Sequence, residues 1–380
     1  MKKKTAALFM TIAMTAALVS GCGSNEAADN SAASTEEASA ETAEDASAAE
    51  TSETEETGEA TEAESSAEEG AAYKVGIVQY VDDASLNQIE TAIEAELDAK
   101  AAELGVTFDY SDYTYNGQAD STTLNQIATE LIASEVDVIV PIATPTAMIM
   151  QNATADNQIP VVFSAVSDPV GAGLVASLDA PGSNITGTSD ALNTKAVMDL
   201  MFAANPDIKK VGLLYNKSED ASKTPIEEAK AYCEEKGVEV IEKTGTTNDE
   251  ISLAADALVA GGAEAVFTPT DNTVMTAELA IYEKFIDAGI PHYTGADSFA
   301  LNGAFLGFGV NYVDLGTATA DMVVDILVNG ADPASTAVVM LDNGIATVNT
   351  ETAEAIGLDY SMFESMCAEV KETVTAEEFE

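Results

Sequence analysis

The chain repeats its own opening. Residues 74–79 read KVGIVQ, and residues 210–215 read KVGLLY. Each stretch starts a run in which short apolar segments alternate with amphipathic ones. In the first run, strands are predicted at 73–79, 106–115, 136–141 and 159–165, with a short extended piece at 184–188. Helices are predicted at 85–104, at 121–134 and from Thr144 onward, with Ser85 as an N-cap and Gly105 as the residue that ends the first helix. In the second run, strands at 210–215, 239–243, 265–268 and 291–295 alternate with helices at 224–236, 249–260 and 273–288. Pro225 suits the first helical position and Gly237 the end of that helix. Such alternation predicts an α/β fold with two Rossmann-like lobes, each a parallel sheet flanked by helices. A strand at 304–309, a helix at 313–328, a hairpin-like pair around Asn343-Gly344, a terminal helix and an acidic tail remain. These leftovers fit a chain that crosses between lobes more than once.

The segment before the first strand cannot contribute to either lobe. Residues 23–72 are nearly all Ala, Glu, Ser and Thr, with 16 acidic residues, no lysine and no aromatic side chain. So little apolar surface does not offset chain entropy, and like charges extend the chain. This stretch, with Cys22, reads as a disordered tether at 22–72. Ahead of it, Lys2, Lys3 and Lys4 precede a short apolar run that ends Leu18-Val19-Ser20-Gly21-Cys22. Residues 1–21 therefore read as a lipoprotein signal peptide, with Cys22 as the lipidation site. The expected location is extracytoplasmic, on the outer face of the cell membrane.

Charge and residue inventory narrow the function. Of a formal charge of −51, the body from residue 73 carries the larger part, from 50 acids and 12 lysines, and the chain has no arginine. A nucleic-acid partner needs a basic footprint, which is missing. His292 is the single histidine, which excludes zinc sites built on histidine clusters and leaves no Ser/His or Cys/His pair with a sound partner. No Gly-x-Ser-x-Gly elbow and no phosphate loop of the Gly-x-x-x-x-Gly-Lys type occurs. The expectation is a protein that is not an enzyme and has no cofactor or metal. Cys233 and Cys367 are expected in helices, unpaired.

In open α/β sheets, ligands sit beyond the carboxyl ends of the strands. Those ends offer Gln79, Tyr80, Thr144, Thr146, Ala147, Ser164 and Asp168 in the first lobe. In the second they offer Tyr215, Asn216, Thr270, Asp271, Asn272 and Asp297. With Thr144 as N-cap and Pro145 at the first position, a helix would aim free N–H groups at the cleft. Without arginine, a ligand carboxylate would be held there by N–H groups and hydroxyls. Asp271 and Asp297 suit a cationic group, though each also suits a helix cap. Tyr80 and Tyr215 occupy matching positions in the two repeats and could stack on a flat ligand.

The run from Phe163 through Ser164-Ala165-Val166-Ser167-Asp168-Pro169 to Pro181-Gly182-Ser183-Asn184-Ile185-Thr186-Gly187-Thr188 resembles a known family. So do Pro269-Thr270-Asp271-Asn272 and Gly309-Val310-Asn311-Tyr312. The family is that of ABC-transporter substrate-binding proteins which includes tryptophan- and aromatic-amino-acid-binding lipoproteins. The resemblance implies a type I periplasmic-binding-protein fold with three crossovers. It implies an N-terminal lobe of 73–190 plus about 298–335, and a C-terminal lobe of 191–297 plus about 336–380. It places Thr144, Thr146, Ala147 and Ser164 against a ligand carboxylate, and Asp271 and Asp297 near an amine. It also implies a monomeric receptor that captures a small amino-acid-like solute for an ABC permease. One departure stands out: many relatives carry His-Pro soon after the first strand, where this chain has Tyr80-Val81-Asp82-Asp83. A nucleoside or sugar receptor, or a ligand sensor on the same fold, is the competing expectation.

Overall fold

A computed structural model describes residues 70–341 and 344–376. The expected signal peptide, Cys22 and the tether lie outside the described residues, as do Asn343 and the acidic tail at 377–380. The first half of the body contains β1 (Ala72–Gln79), α1 (Ala84–Leu104), β2 (Thr107–Asp109), β3 (Thr114–Asn116), α2 (Ser121–Ala133), β4 (Val138–Ile142), α3 (Thr144–Thr154), β5 (Val161–Phe163) and β6 (Ile185–Ser189). The second contains α4 (Thr194–Ala204), β7 (Lys210–Tyr215), α5 (Asp220–Lys236), β8 (Glu239–Thr244), α6 (Asn248–Ala260), β9 (Ala265–Thr268), α7 (Asn272–Ala288), β10 (His292–Thr294), α8 (Asp297–Leu301) and β11 (Leu306–Gly309). The chain closes with α9 (Tyr312–Leu327), β12 (Val339–Met340), β13 (Ile345–Asn349), α10 (Thr350–Ile356), a 3-10 turn (Ser361–Ser365) and β14 (Glu369–Thr373).

These strands make two sheets. One runs β12-β6-β5-β4-β1-β2, with β3 also beside β1; the other runs β14-β13-β11-β10-β9-β7-β8. Every pairing among the described residues is parallel except β11 with β13. The predicted α/β class, with helices flanking parallel sheets, is what the molecule adopts. The chain passes between sheets three times: between β6 and α4, between β11 and α9, and between β12 and β13.

Several boundaries differ from the sequence reading. The strand expected at 304–309 in the first lobe pairs with β10 and β13 in the second sheet. The short α8 returns the chain directly beside β10, so the crossing comes only after Gly309. The expected hairpin is instead a crossing, since β12 pairs with β6 and β13 with β11 and β14. The strand expected at 106–115 is broken into β2 and β3 by a turn in which Tyr113 N–H donates to the Tyr110 carbonyl at 2.8 Å. Helix α5 starts a turn earlier than expected, with Pro225 inside it. The reason is a partner distant in sequence: Asp271 accepts from Asn216 N–H at 2.7 Å and Ser222 Oγ at 2.6 Å, which gathers the chain into an extra turn. Cys233 is buried and Cys367 half-buried; both are free, and Cys367 follows the 3-10 turn instead of lying in a helix.

Helix α1 forms the main contact across the first half. Leu86, Ile89, Ile93 and Leu97 fall on one face and are buried. Gly105 takes φ 67° to end the helix, a conformation that favours glycine. Against that face lies α9, after the second crossing. Gly316 permits the approach: a Cβ there would sit 2.6 Å from the Ile89 carbonyl oxygen and 2.7 Å from the Ala92 Cβ. Replacing it forces helices apart that anchor the crossing segment. Gly316→Val should therefore cost about 1–3 kcal/mol through overpacking. A lowered melting temperature of the body checks this, and an unchanged one contradicts the packing described.

Candidate functional site

Strand ends from both sheets meet along one interface. On the first-sheet side, β4 feeds directly into α3. Ala143, not Thr144, is the N-cap, at φ 79°. Thr144 is the first helical residue, and no side chain caps the helix. Its leading N–H groups are therefore left for other partners. A non-glycine residue at positive φ is strained, and such strain clusters at ligand clamps. Ala147 is fully buried. Thr146 is also fully buried, and its hydroxyl has no partner. A buried hydroxyl without a bond costs about 1–3 kcal/mol. Ser164 is already engaged: its Oγ lies 2.9 Å from Thr319 Oγ1 and 3.3 Å from Thr188 Oγ1.

On the second-sheet side, carboxylates gather at the start of α7. Asp271 caps that helix, accepting from Val274 N–H at 2.9 Å as well as from Asn216 and Ser222. Glu219 straddles the same helix end. Its Oε2 accepts from Asn272 N–H (2.8 Å) and Nδ2 (3.0 Å), and its Oε1 from Thr273 N–H (2.7 Å) and Oγ1 (2.5 Å). The helix dipole favours both anions there. Burial and then the charge of Glu219 push Asp271 up to about 8. Tyr80, from the end of β1, faces this pair: burial, then Glu219, Asp271 and Asp120, push its hydroxyl up to about 12. Gln79 is held below it, donating to Asn87 Oδ1 at 2.6 Å and accepting from Asn116 Nδ2 at 3.1 Å. Thr270 donates to the Gly295 carbonyl at 3.2 Å.

A third group links the halves. Asp83 caps α1, accepting from Ser85 N–H at 2.9 Å. This corrects the expectation that Ser85 is the cap, and it frees the Ser85 hydroxyl. That hydroxyl donates to Asp297 Oδ1 at 2.5 Å, while Gln88 Nε2 donates to Asp297 Oδ2 at 3.2 Å. Burial, together with the Asp297 charge, pushes Asp83 up to about 7. Burial likewise pushes Asp190, at the first crossing, up to about 6, with Ser167 Oγ donating to it at 2.9 Å. Burial holds the Tyr312 hydroxyl well above the ordinary phenol range; Asp190, Asp297 and Asp83 reinforce the shift. Asp168 spans the halves too, accepting from Thr224 Oγ1 at 2.8 Å beside a cavity of about 340 Å³.

The structure thus brings together Tyr80, Asn216, Asp271 and Asn272, and it joins Asp297 to α1. Tyr215 departs from expectation. Its ring belongs to the second sheet's core, with Lys230 Nζ 6.0 Å from the ring centroid, so the two tyrosines are not matching walls. The pleat of β7 explains it: alternate residues face opposite sides, and Tyr215 falls on the α5 side with Ile226 and Ala229. Sequence reasoning missed Glu219, Asp83, Asp190 and Tyr312. Glu219 could have been found as an acid one loop beyond the β7 repeat; Asp83 stood in the sequence only as part of the loop after the first strand. His292 is buried away from the interface, between Glu278 (3.0 Å) and Thr268 (2.8 Å).

Comparison with known proteins places this geometry. The profile of the family described as ABC transporter substrate binding protein matches residues 74–374. The chain belongs to that family. A tyrosine-binding protein of Clostridioides difficile is 31% identical over 286 residues, covering 75% of this chain and 81% of that protein. Among solved structures, the ABC domain from Streptococcus pneumoniae in complex with L-Trp is 31% identical, covers 79% of this chain and 100% of its own, and aligns at a TM-score of 0.72. The ligand-free, open structure of a substrate-binding protein with adhesive properties from Clostridium difficile, also 31% identical, covers 80% and 100% and aligns at 0.61.

The buried acids set a pH dependence. Asp83, Asp190 and Asp271 all titrate above the ordinary aspartate value of 3.8. Below that value their contribution is fully present; it is lost as pH rises through about 6, 7 and 8. The melting temperature of this substrate-binding protein should fall between pH 5.5 and pH 8. Asp83→Asn, which keeps the cap, should flatten the slope. A profile rising toward pH 8 would contradict the assignment of these groups.

Proposed function

We propose that this protein is a lipid-anchored, extracytoplasmic receptor that captures a small aromatic amino acid between two closing lobes and delivers it to an ABC importer. The single observation that carries the ligand class is the chemical polarity of the interface. One side presents the uncapped start of α3 with the unpartnered Thr146 hydroxyl; the other presents Asp271 and Glu219 beside Tyr80. N–H groups and hydroxyls opposite carboxylates suit a zwitterion, and a tyrosine ring suits a flat side chain. The L-Trp complex and the tyrosine-binding protein among the relatives support the same class. The better alignment to the L-Trp complex than to the open, ligand-free relative supports a closed arrangement.

In this reading Thr144 and Thr146 receive the ligand carboxylate, with Ser164 and Ala147, whose N–H donates to the Ala143 carbonyl at 3.1 Å, behind them. The amine replaces the proton that burial otherwise favours on Asp271. Lobe closure excludes water, which strengthens each of these bonds. The ligand binds the closed form better than the open one, and that difference drives closure. The Cys22 lipid and the acidic tether hold the receptor near its permease.

Two measurements test the proposal. A thermal-shift screen should show L-tryptophan or L-tyrosine raising the melting temperature, with nucleosides and sugars inert. Stabilisation by nucleosides or sugars alone would overturn the ligand class. Thr146→Val removes the hydroxyl at nearly constant shape and should weaken binding by calorimetry about tenfold or more. Unchanged affinity would move the carboxylate away from α3.

A further inference from the structure

We infer that Ser85 and Gln88 of α1 form an interlobe clasp with Asp297 of α8, and that Asp297 sets affinity through closure, without touching the ligand. The inference rests on the closing-lobe reading above and changes the role that the family resemblance implies for Asp297. Both Asp297 oxygens are taken by donors from the other lobe: Ser85 Oγ at 2.5 Å and Gln88 Nε2 at 3.2 Å. The Ser85 hydroxyl also accepts from Ser298 N–H at 3.1 Å, so one side chain closes on both a carboxylate and a backbone group of α8.

The clasp is built, not incidental. Asp83 takes over the capping of α1, accepting from Ser85 N–H and fixing where the Ser85 hydroxyl points. Ser85 is 2% exposed and its bond to Asp297 is partly buried, so competing water reaches it from one side only. A second bridge, Thr224 Oγ1 to Asp168 Oδ2 at 2.8 Å, joins the lobes at an exposed position. Water competes more strongly there, so the partly buried clasp carries more of the closing free energy. When the lobes part, Ser85 and Asp297 lose each other and gain water. The equilibrium between open and closed forms therefore depends on this contact, and apparent affinity scales with the closed fraction.

The test uses the full chain and two readouts. Hydrogen exchange on the unliganded protein reports opening at residues 214–220 and 269–276, which line the interface and bond neither Ser85 nor Asp297. Ser85→Ala should speed exchange there several-fold and weaken L-tryptophan or L-tyrosine binding about tenfold. Gln88→Met, which removes only the second donor, should give the same pattern at smaller size. Ser85→Thr, which keeps the hydroxyl, should restore both readouts. Faster exchange confined to 84–88 and 297–301, or unchanged affinity in Ser85→Ala, would overturn the clasp. The exchange readout needs no ligand. Failure of aromatic amino acids to bind would therefore count against the proposed ligand while the clasp is still judged.

Discussion

A chain without arginine must neutralise its buried carboxylates by other means, and that requirement organises the interface between its two sheets. Asp83 rests on the N–H groups that open α1. Asp271 and Glu219 share the N-terminus of α7. Asp297 uses the Ser85 hydroxyl and the Gln88 amide. Backbone dipoles and hydroxyls satisfy these acids geometrically, but at Asp83 and Asp271 they do not offset the cost of burial, and at Asp297 they and the Lys371 charge offset it only in part. The raised values of Asp83 and Asp271 express that imbalance. An interface poised this way has a physical reason to accept an ammonium group.

The topology puts these acids where movement would matter. Three crossings join the two sheets. Asp190 sits at the first, and Tyr312 begins the helix after the second; the Tyr312 hydroxyl feels Asp190, Asp297 and Asp83 together. Any rotation of one lobe against the other changes the spacing of these charges. Close packing of α9 on α1 through Gly316 keeps the second crossing tied to the first lobe. In the closure proposed above, the clasp and the acid cluster would therefore act on the same motion.

Much of this was legible in the sequence because it follows local rules. The KVGIVQ and KVGLLY repeat located β1 and β7, apolar spacing with Gly105 bounded α1, and Gly237 fixed the end of α5. That Thr144, Thr146, Asp271 and Asp297 lie just past strand ends followed from the alternation of elements; their part in ligand binding is the proposal made above. What escaped depends on long-range partners. Nothing local says that β11 stays with β10, that β12 and β13 part to different sheets, or that α5 starts early because Asp271 gathers residues 216–222. Glu219 and Asp83 escaped for the same reason: their roles come from a helix end and a lobe distant in sequence.

The central claim is that the uncapped start of α3 and the Asp271–Glu219 pair hold opposite ends of one zwitterion. A crystal structure grown with L-tryptophan tests it most directly. The account predicts the ligand carboxylate on the Thr144 and Thr146 N–H groups and the Thr146 hydroxyl, its amine toward Asp271 and Glu219, and Asp297 still bonded to Ser85. A ligand whose amine is bonded to Asp297, or one bound away from α3, would contradict it.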